Sequence, residues 1–155
     1  MSKPPPLTSD AVSPEQTHFV RDHCLCLASQ RAARALSRRF DESFRTLGIT
    51  SGQFSLLNAL NRPAPPSIGS VADLLVMDRT SLTANLKPLE RDGLVTIEPD
   101  SSDRRVKRLI LTVAGKQALA RAMPIWTEVH GEIDRGLESS AASGDSLRAG
   151  LAALL

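Results

Sequence analysis

The chain has 155 residues, of which 41% are apolar and 23% are charged, a balance typical of one soluble globular domain. Its 19 lysines and arginines against 17 aspartates and glutamates leave a net charge of +2, so any binding to nucleic acid depends on where the cations lie. Four phenylalanines, one tryptophan and no tyrosine disfavour modules that stack single-stranded bases on aromatic side chains. No apolar run is long enough to span a bilayer, and two cysteines without a signal peptide predict a cytoplasmic protein.

The N-terminal part of the chain divides into an arm and a helix. Residues 1–15 contain Pro4-Pro5-Pro6 and show no periodicity, so we predict a flexible arm there. Apolar residues spaced three and four apart from Leu25 to Leu47 predict one long amphipathic helix over residues 16–48, ended by Gly48. The opposite face of this helix is basic and carries Arg31, Arg34, Arg38, Arg39 and Arg45.

Three shorter helices and a β-hairpin are predicted within residues 49–112. Thr50 or Ser51 caps the first helix, Ser67 caps the second, and Asp78 caps the third, which continues to about Asp92. The apolar residues of that third helix are Leu82, Leu86 and Leu89. β-branched and apolar segments at residues 94–98 and 106–111 flank turn residues 99–103 and predict the hairpin.

The C-terminal part, residues 113–155, is predicted to be helical again. Thr112 begins a long helix that contains Pro124, and Ser143-Gly144 separates it from a last amphipathic helix. The terminal helices on both sides of residues 49–112 carry long apolar stripes, which would be an aggregation hazard unless a partner covers them. This pattern favours a homodimer with two-fold symmetry.

The third helix has the surface chemistry of a helix that reads the major groove. When its leucines face inward, short polar side chains and a cation lie on the outward face, and the helix start can bind an anion through its unpaired amides. The outward residues are Thr80, Ser81, Thr83 and Lys87. Serine, threonine and lysine are also typical of any surface helix, so this helix alone fits either interpretation equally well.

The hairpin favours the DNA-binding interpretation. Four cations occur within five residues directly after its turn, namely Arg104, Arg105, Lys107 and Arg108. A basic β-tip beside a groove-reading helix suits the insertion of arginine into a narrow minor groove. Asp103 is placed to pair with Arg105 and hold its guanidinium in the inserting direction. The alternative is a solvated hairpin whose charges serve solubility.

These segments together resemble the winged helix-turn-helix regulators of the MarR family. The resemblance is carried by DRTSLT at residues 78–83, LKPLERDGLV at residues 86–95, DRR at residues 103–105 and LILT at residues 109–112. It extends over roughly residues 20–137, including the arginine-rich first helix and Pro124 followed by Trp126. One departure is Ala84, where family members often carry arginine; this shifts base reading onto the neighbouring polar residues.

The resemblance implies a mainly α fold with a small β-hairpin wing, in which a winged helix-turn-helix is flanked by N- and C-terminal dimerisation helices. It implies a homodimer whose dimerisation helices are residues 16–48 and 113–155, and an Asp-x-Arg pair in each wing, here Asp103 and Arg105. The expected DNA-binding residues are Arg79, Thr80, Ser81, Thr83, Lys87, Arg104 and Arg105. We expect neither a cofactor nor a bound metal.

Cys24 and Cys26, on the first helix beside His18 and His23, allow three interpretations. The first is that they are small apolar residues that fill space. The second is a redox sensor centred on Cys24, because a thiolate beside a dimer interface can oxidise and shift the reading helices. The third is a metal site, which is disfavoured because residues 23, 24 and 26 do not share one helix face. The resemblance implies instead a small aromatic or phenolic anion as the effector.

The sequence therefore predicts a double-stranded DNA-binding transcription regulator, in particular a repressor that an effector releases from its operator. An alternative from another class is a winged-helix module that binds a protein partner and not DNA. A thiol peroxidase using Cys24 is a third alternative. We expect no enzyme, because the sequence contains no glycine-rich phosphate loop and no spaced set of nucleophile, base and acid.

Overall fold

The computed structural model describes residues 11–140 and 142–155, which form seven α-helices, a short 3₁₀ turn and a two-stranded antiparallel sheet. The expected mainly α fold with a β-hairpin is confirmed. None of the described helices combines the length and apolarity that crossing a membrane requires. In chain order the elements are α1 Pro14–His23, α2 Leu25–Phe44, the 3₁₀ turn Arg45–Leu47, α3 Ser51–Leu60, α4 Ile68–Leu75, α5 Arg79–Arg91, β1 Val95–Pro99, β2 Lys107–Leu111, α6 Val113–Glu138 and α7 Gly144–Ala152.

The chain divides into two compact units between Arg39 and Phe40. In the first unit, α1 begins at Pro14 behind a capping box: the Ser13 hydroxyl accepts from the Gln16 amide at 3.3 Å, and the Gln16 side-chain oxygen accepts from the Ser13 amide at 2.8 Å. Of the arm predicted over residues 1–15, residues 1–10 lie outside the described part, and the last two residues are already helical.

The prediction of one continuous helix over residues 16–48 is wrong at Cys24. That residue leaves the helical region, with φ −78° and ψ 108°, and separates α1 from α2. Its thiol accepts a hydrogen bond from the Leu27 amide at 3.4 Å, so the sulfur caps the first turn of α2. Apolar spacing does not reveal this break, because it occupies a single residue between two segments that are each helical.

The second unit is built around one apolar core. Phe44 and Leu57 are fully buried in it, as are the three leucines of α5, so the predicted inward face of that helix is confirmed. The turn between α4 and α5 passes through Val76, whose φ of +50° lies in the left-handed region. The Asp78 side chain then caps α5, as predicted.

The β-hairpin packs onto the core through the inward residues of each strand. Val95 pairs with Leu111, and Ile97 pairs with Leu109. The strands lie at residues 95–99 and 107–111, one residue later at three of their four ends than the predicted boundaries. The outer edge of β2 also bonds to the segment before α4, because the Leu109 amide donates to the Pro66 carbonyl at 2.9 Å. The hairpin and the start of α4 are therefore joined directly.

The start of α6 fits closely against the end of the helix-turn-helix. Thr112 caps α6 and also donates its hydroxyl to the Gly93 carbonyl at 2.8 Å. Gly115, in the first turn, is buried so closely that an added Cβ would lie 2.1 Å from the Leu94 carbonyl oxygen. Further along α6, the Trp126 ring lies nearly parallel to the Phe54 ring of α3, with ring centroids 6.5 Å apart.

Candidate nucleic-acid interface

Helix α5 presents its polar residues to solvent. Leu82, Leu86 and Leu89 are completely buried and form the inward face, and the other residues of the helix are exposed except the half-buried Pro88. The exposed residues include all five that the sequence assigned to DNA binding on this helix, namely Arg79, Thr80, Ser81, Thr83 and Lys87. Ala84 is exposed among them and presents only a methyl group to solvent.

The hydroxyl groups on this face differ in what they can offer a ligand. The Ser81 hydroxyl donates to the Asp78 carboxylate at 2.6 Å, which is the main cause that lowers the pKa of Asp78, and the Ser81 amide donates to the same carboxylate at 2.8 Å. The Thr83 hydroxyl donates to the Arg79 carbonyl at 2.7 Å. Both protons are therefore held inside the helix, which leaves the two oxygens to act as acceptors.

Thr80 and Lys87 are arranged differently. Among residues 11–140 and 142–155, neither side chain has a hydrogen-bond or ion-pair partner, so both are available to an incoming polar group. Thr80 offers a hydroxyl that can donate or accept, and Lys87 offers a flexible ammonium. Helix α5 therefore exposes a hydroxyl near its start, at Thr80, and an ammonium near its middle, at Lys87.

The hairpin loop holds one arginine in a fixed direction. Both oxygens of the Asp103 carboxylate accept from the Arg105 guanidinium, from Nε at 3.0 Å and from Nη2 at 3.1 Å. The Arg105 amide donates to the same carboxylate at 3.0 Å. The Arg105 bond is also the main cause that lowers the pKa of Asp103. The Arg105 side chain is 92% exposed, so the pair aims a guanidinium outward and does not bury it.

Only part of the predicted four-cation tip projects from the hairpin. Arg104, Arg105 and Lys107 are exposed. Arg108 is half-buried instead, with its Nε 2.6 Å from a carboxylate oxygen of Asp100 and its Nη1 3.3 Å from the Pro65 carbonyl. The expectation that Arg108 belongs to the projecting tip is therefore wrong, because its charge is paired within the protein.

A cleft brings α5 and the hairpin together. Arg79 and Thr83 of α5 line it with Arg105 of the loop, and Ser67 and Gly69 at the start of α4 form another wall. A Cβ added at Gly69 would lie 3.3 Å from Nη2 of Arg79, so the guanidinium packs against the bare backbone there. Sequence reasoning identified Ser67 only as a helix cap and assigned neither Ser67 nor Gly69 to this region.

The cysteine region lies in the first unit. Cys24 is half-buried and caps α2, whereas Cys26 is exposed and its sulfur accepts from the side-chain Nε2 of Gln30 at 3.3 Å. His23 stacks on Phe19, with ring centroids 4.1 Å apart. In the part of the chain that the structure describes, no three histidine, cysteine, aspartate or glutamate side chains gather as a metal-binding group.

Comparison with known proteins places the chain among transcriptional regulators. A sequence model described as MarR family matches residues 47–106. The transcriptional regulator MosR of M. tuberculosis, solved in complex with DNA, is 34% identical, has a TM-score of 0.76, and is matched over 85% of this chain and 93% of that one. The transcriptional repressor CouR, solved on a 23-mer DNA duplex, is 28% identical with a TM-score of 0.75, over 87% of this chain and 94% of that one.

A curated relative gives the same class. The transcriptional activatory protein BadR of Rhodopseudomonas palustris is 31% identical over 107 residues, which are 66% of this chain and 61% of BadR. Two further curated relatives are matched over 57% and 56% of their own lengths, so this chain spans less than two thirds of each. These similarities are to regulators of transcription and support the expectation that the chain is not an enzyme.

Proposed function

We propose that this chain, which belongs to the MarR family of winged-helix transcriptional regulators, binds double-stranded DNA in a sequence-specific manner. The observation that carries the proposal is the cleft in which Arg79 and Thr83 of α5 face the outward guanidinium of Arg105. Two solved structures of similar sequence, MosR and CouR, are complexes with DNA. A helix and a basic hairpin on either side of one cleft suit a DNA backbone that passes between the major and minor grooves.

Helix α5 would enter the major groove by its N-terminal half. Thr80 and Lys87 present exposed polar groups to base edges or phosphates, while Ser81 and Thr83 can accept hydrogen bonds from exposed base amino groups. Arg79, beside the start of α4, is suited to a phosphate. Since Ala84 offers only a methyl group, it suits contact with the methyl group of thymine.

The hairpin would act in the neighbouring minor groove. Arg105 is the inserting residue, because Asp103 already fixes the plane of its guanidinium and little rotamer freedom remains to be lost on binding. Arg104 is exposed beside it and would add a phosphate contact. We assign Asp103 the role of orienting Arg105.

We also propose that two copies of the chain act together as a homodimer. Residues 31–39 of α2 are all exposed, and Leu25 and Leu36 of this helix are 69% and 41% exposed. On α7, Leu147, Leu151 and Leu154 are 47%, 45% and 63% exposed. Apolar side chains repeated along two helices favour burial against a second copy. The dimer would bind a pseudo-palindromic operator, and we place this binding in the cytoplasm.

The regulatory output that we propose is repression relieved by an effector. CouR is named a repressor and BadR an activatory protein, so relatives act in both directions. The effector would be a small aromatic or phenolic anion, with oxidation of Cys24 as the alternative. A Cys24→Ser chain separates these: it would lose release by peroxide under the redox alternative, and it would keep release by a phenolic acid under the first.

The test is a binding titration with duplex DNA from upstream of the chain's own gene, repeated across salt concentrations. We expect wild-type binding to weaken steeply with salt, and Arg105→Ala to weaken it about tenfold or more and to reduce the salt slope by about one. Arg45→Ala is the matched control, because Arg45 is an exposed arginine that lies outside the cleft. If a folded wild-type chain bound no duplex at any salt concentration, it would be a protein-interaction module instead.

A further inference from the structure

Asp100, at the start of the hairpin loop, is a hub of hydrogen bonds. One oxygen of its carboxylate accepts from the Ser102 hydroxyl at 2.5 Å, the Ser102 amide at 2.8 Å and the Asp103 amide at 3.1 Å. The other oxygen accepts from Nε of Arg108 at 2.6 Å. The Asp100 side chain is only 12% exposed, although it lies on a two-stranded hairpin. Both carboxylate oxygens are therefore engaged with the loop or with β2.

Arg108 extends this arrangement beyond the hairpin. Its guanidinium bonds Asp100 on one side and donates to the carbonyl of Pro65, 43 residues earlier in the chain, at 3.3 Å on the other. Ser67 forms an isolated antiparallel bridge with Arg108, so the backbone is joined at the same place. The loop is thereby tied to the turn that precedes α4, one of the elements that line the cleft.

The bonds then lead to the inserting arginine. Asp100 fixes the backbone of Asp103, and the loop is closed by the Asp100 amide on Val106 and the Val106 amide on Asp103, both at 2.9 Å. The side chain of Asp103 in turn holds Arg105 by two parallel bonds. Each bond fixes the group that makes the next one, so the direction of Arg105 depends on a carboxylate that it does not contact.

We infer that Asp100 and Arg108 are positioning residues that set the direction of Arg105 for DNA, an inference that rests on the proposed DNA-binding function. Neither residue contacts the DNA itself in this arrangement. Arg108 is a cation whose charge is already paired, and Asp100 is an anion held close to a surface that receives phosphates. Their contribution to affinity is geometric, since they align the loop with α4 and α5.

The charge of Asp100 makes this inference easy to distinguish from simple electrostatics. Removing an acidic residue beside a DNA-binding surface lowers repulsion of phosphates and should tighten binding. If Asp100 positions Arg105, Asp100→Ala should weaken binding in spite of that gain. The two explanations therefore predict changes of opposite sign for one substitution.

The substitutions at Arg108 separate charge from geometry in the same way. Arg108→Lys keeps the positive charge, but an ammonium cannot span Asp100 and the Pro65 carbonyl as the planar guanidinium does. Arg45→Lys is the matched control, because it makes the same conservative change at an exposed arginine that lies outside the cleft and takes no part in the bonds of Asp100.

The experiment measures the affinity of the full-length chain and its variants for the same upstream duplex at fixed salt, together with amide hydrogen exchange of the free proteins. We expect Asp100→Ala, Arg108→Ala and Arg108→Lys each to weaken binding about tenfold, and the Asp100→Ala/Arg108→Ala double variant to be no weaker than either single alanine variant. The amides of Ser102 and Asp103 should exchange faster in these variants, while those of α5 stay protected.

Several results would overturn the inference. One is an Asp100→Ala chain that binds as tightly as the wild type or more tightly; another is an Arg108→Lys chain that binds like the wild type. Weak binding by Arg108→Ala with unchanged exchange at Ser102 and Asp103 would mean that Arg108 contacts DNA directly. If Asp100→Ala fails to fold, Arg108→Lys decides alone. Absence of wild-type binding is a different outcome, which refutes the proposed function and removes the basis of the inference.

Discussion

Replacing Gly115 by alanine tests the close approach of α6 to the end of the helix-turn-helix. The added Cβ would lie 2.1 Å from the Leu94 carbonyl oxygen and 2.7 Å from Cδ1 of Leu111. The first neighbour is backbone, which cannot turn away as a flexible side chain can. Helix α6 must therefore shift by about 1 Å to restore an ordinary contact distance.

Two opposing effects determine the change in the free energy of unfolding. Overpacking of this kind costs about 1–3 kcal/mol, and here it is expected at the upper end because backbone atoms must move. The higher helix propensity of alanine recovers roughly 0.8–1.0 kcal/mol. We therefore expect Gly115→Ala to destabilise the chain by about 2 kcal/mol.

The measurement is urea unfolding followed by circular dichroism and Trp126 fluorescence, at one protein concentration because dimerisation would change the apparent stability. Gly136→Ala is the matched control, since Gly136 lies in the same helix and nothing stands within 4 Å of its added Cβ. That variant should be slightly stabilised, by about 0.5–1 kcal/mol. A Gly115→Ala chain as stable as the wild type would refute the packing argument.

Three further predictions concern the turn, the proposed dimer and the loop carboxylate. Val76→Asn should raise the free energy of unfolding by about 1 kcal/mol in the same urea assay, because Val76 is 69% exposed at a positive φ that asparagine tolerates better; a loss of stability would contradict this. The double substitution Leu147→Ser and Leu151→Ser should weaken self-association more than about tenfold, as measured by sedimentation equilibrium. A wild-type chain that is monomeric in the same measurement would refute the proposed dimer. Bonds from Ser102 and Arg108 hold the pKa of Asp100 well below its usual range, so the stability this carboxylate contributes should be complete above about pH 4 and decline only in stronger acid. An NMR titration of Asp100 with an ordinary midpoint of about 3.9 would contradict that.

The sequence alone determined those features that depend on neighbours a few residues apart. The inward leucines of α5 follow from helical spacing, and the Asp78 cap follows from its position before them. The Asp103–Arg105 pair was also predicted, because two residues on one tight turn can meet without help from the rest of the fold. For the same reason four of the five proposed DNA-contacting residues of α5 could be assigned to its exposed face, namely Thr80, Ser81, Thr83 and Lys87.

The tertiary structure decided what depends on distant segments. Arg108 could not be distinguished from its basic neighbours, because its second partner is the Pro65 carbonyl, 43 residues away. The sequence likewise did not predict that Gly115 meets Leu94, since that contact exists only after α6 has packed against the helix-turn-helix. A residue's charge and helical phase are local properties, whereas its partner is chosen by the packing of segments that the chain order leaves far apart.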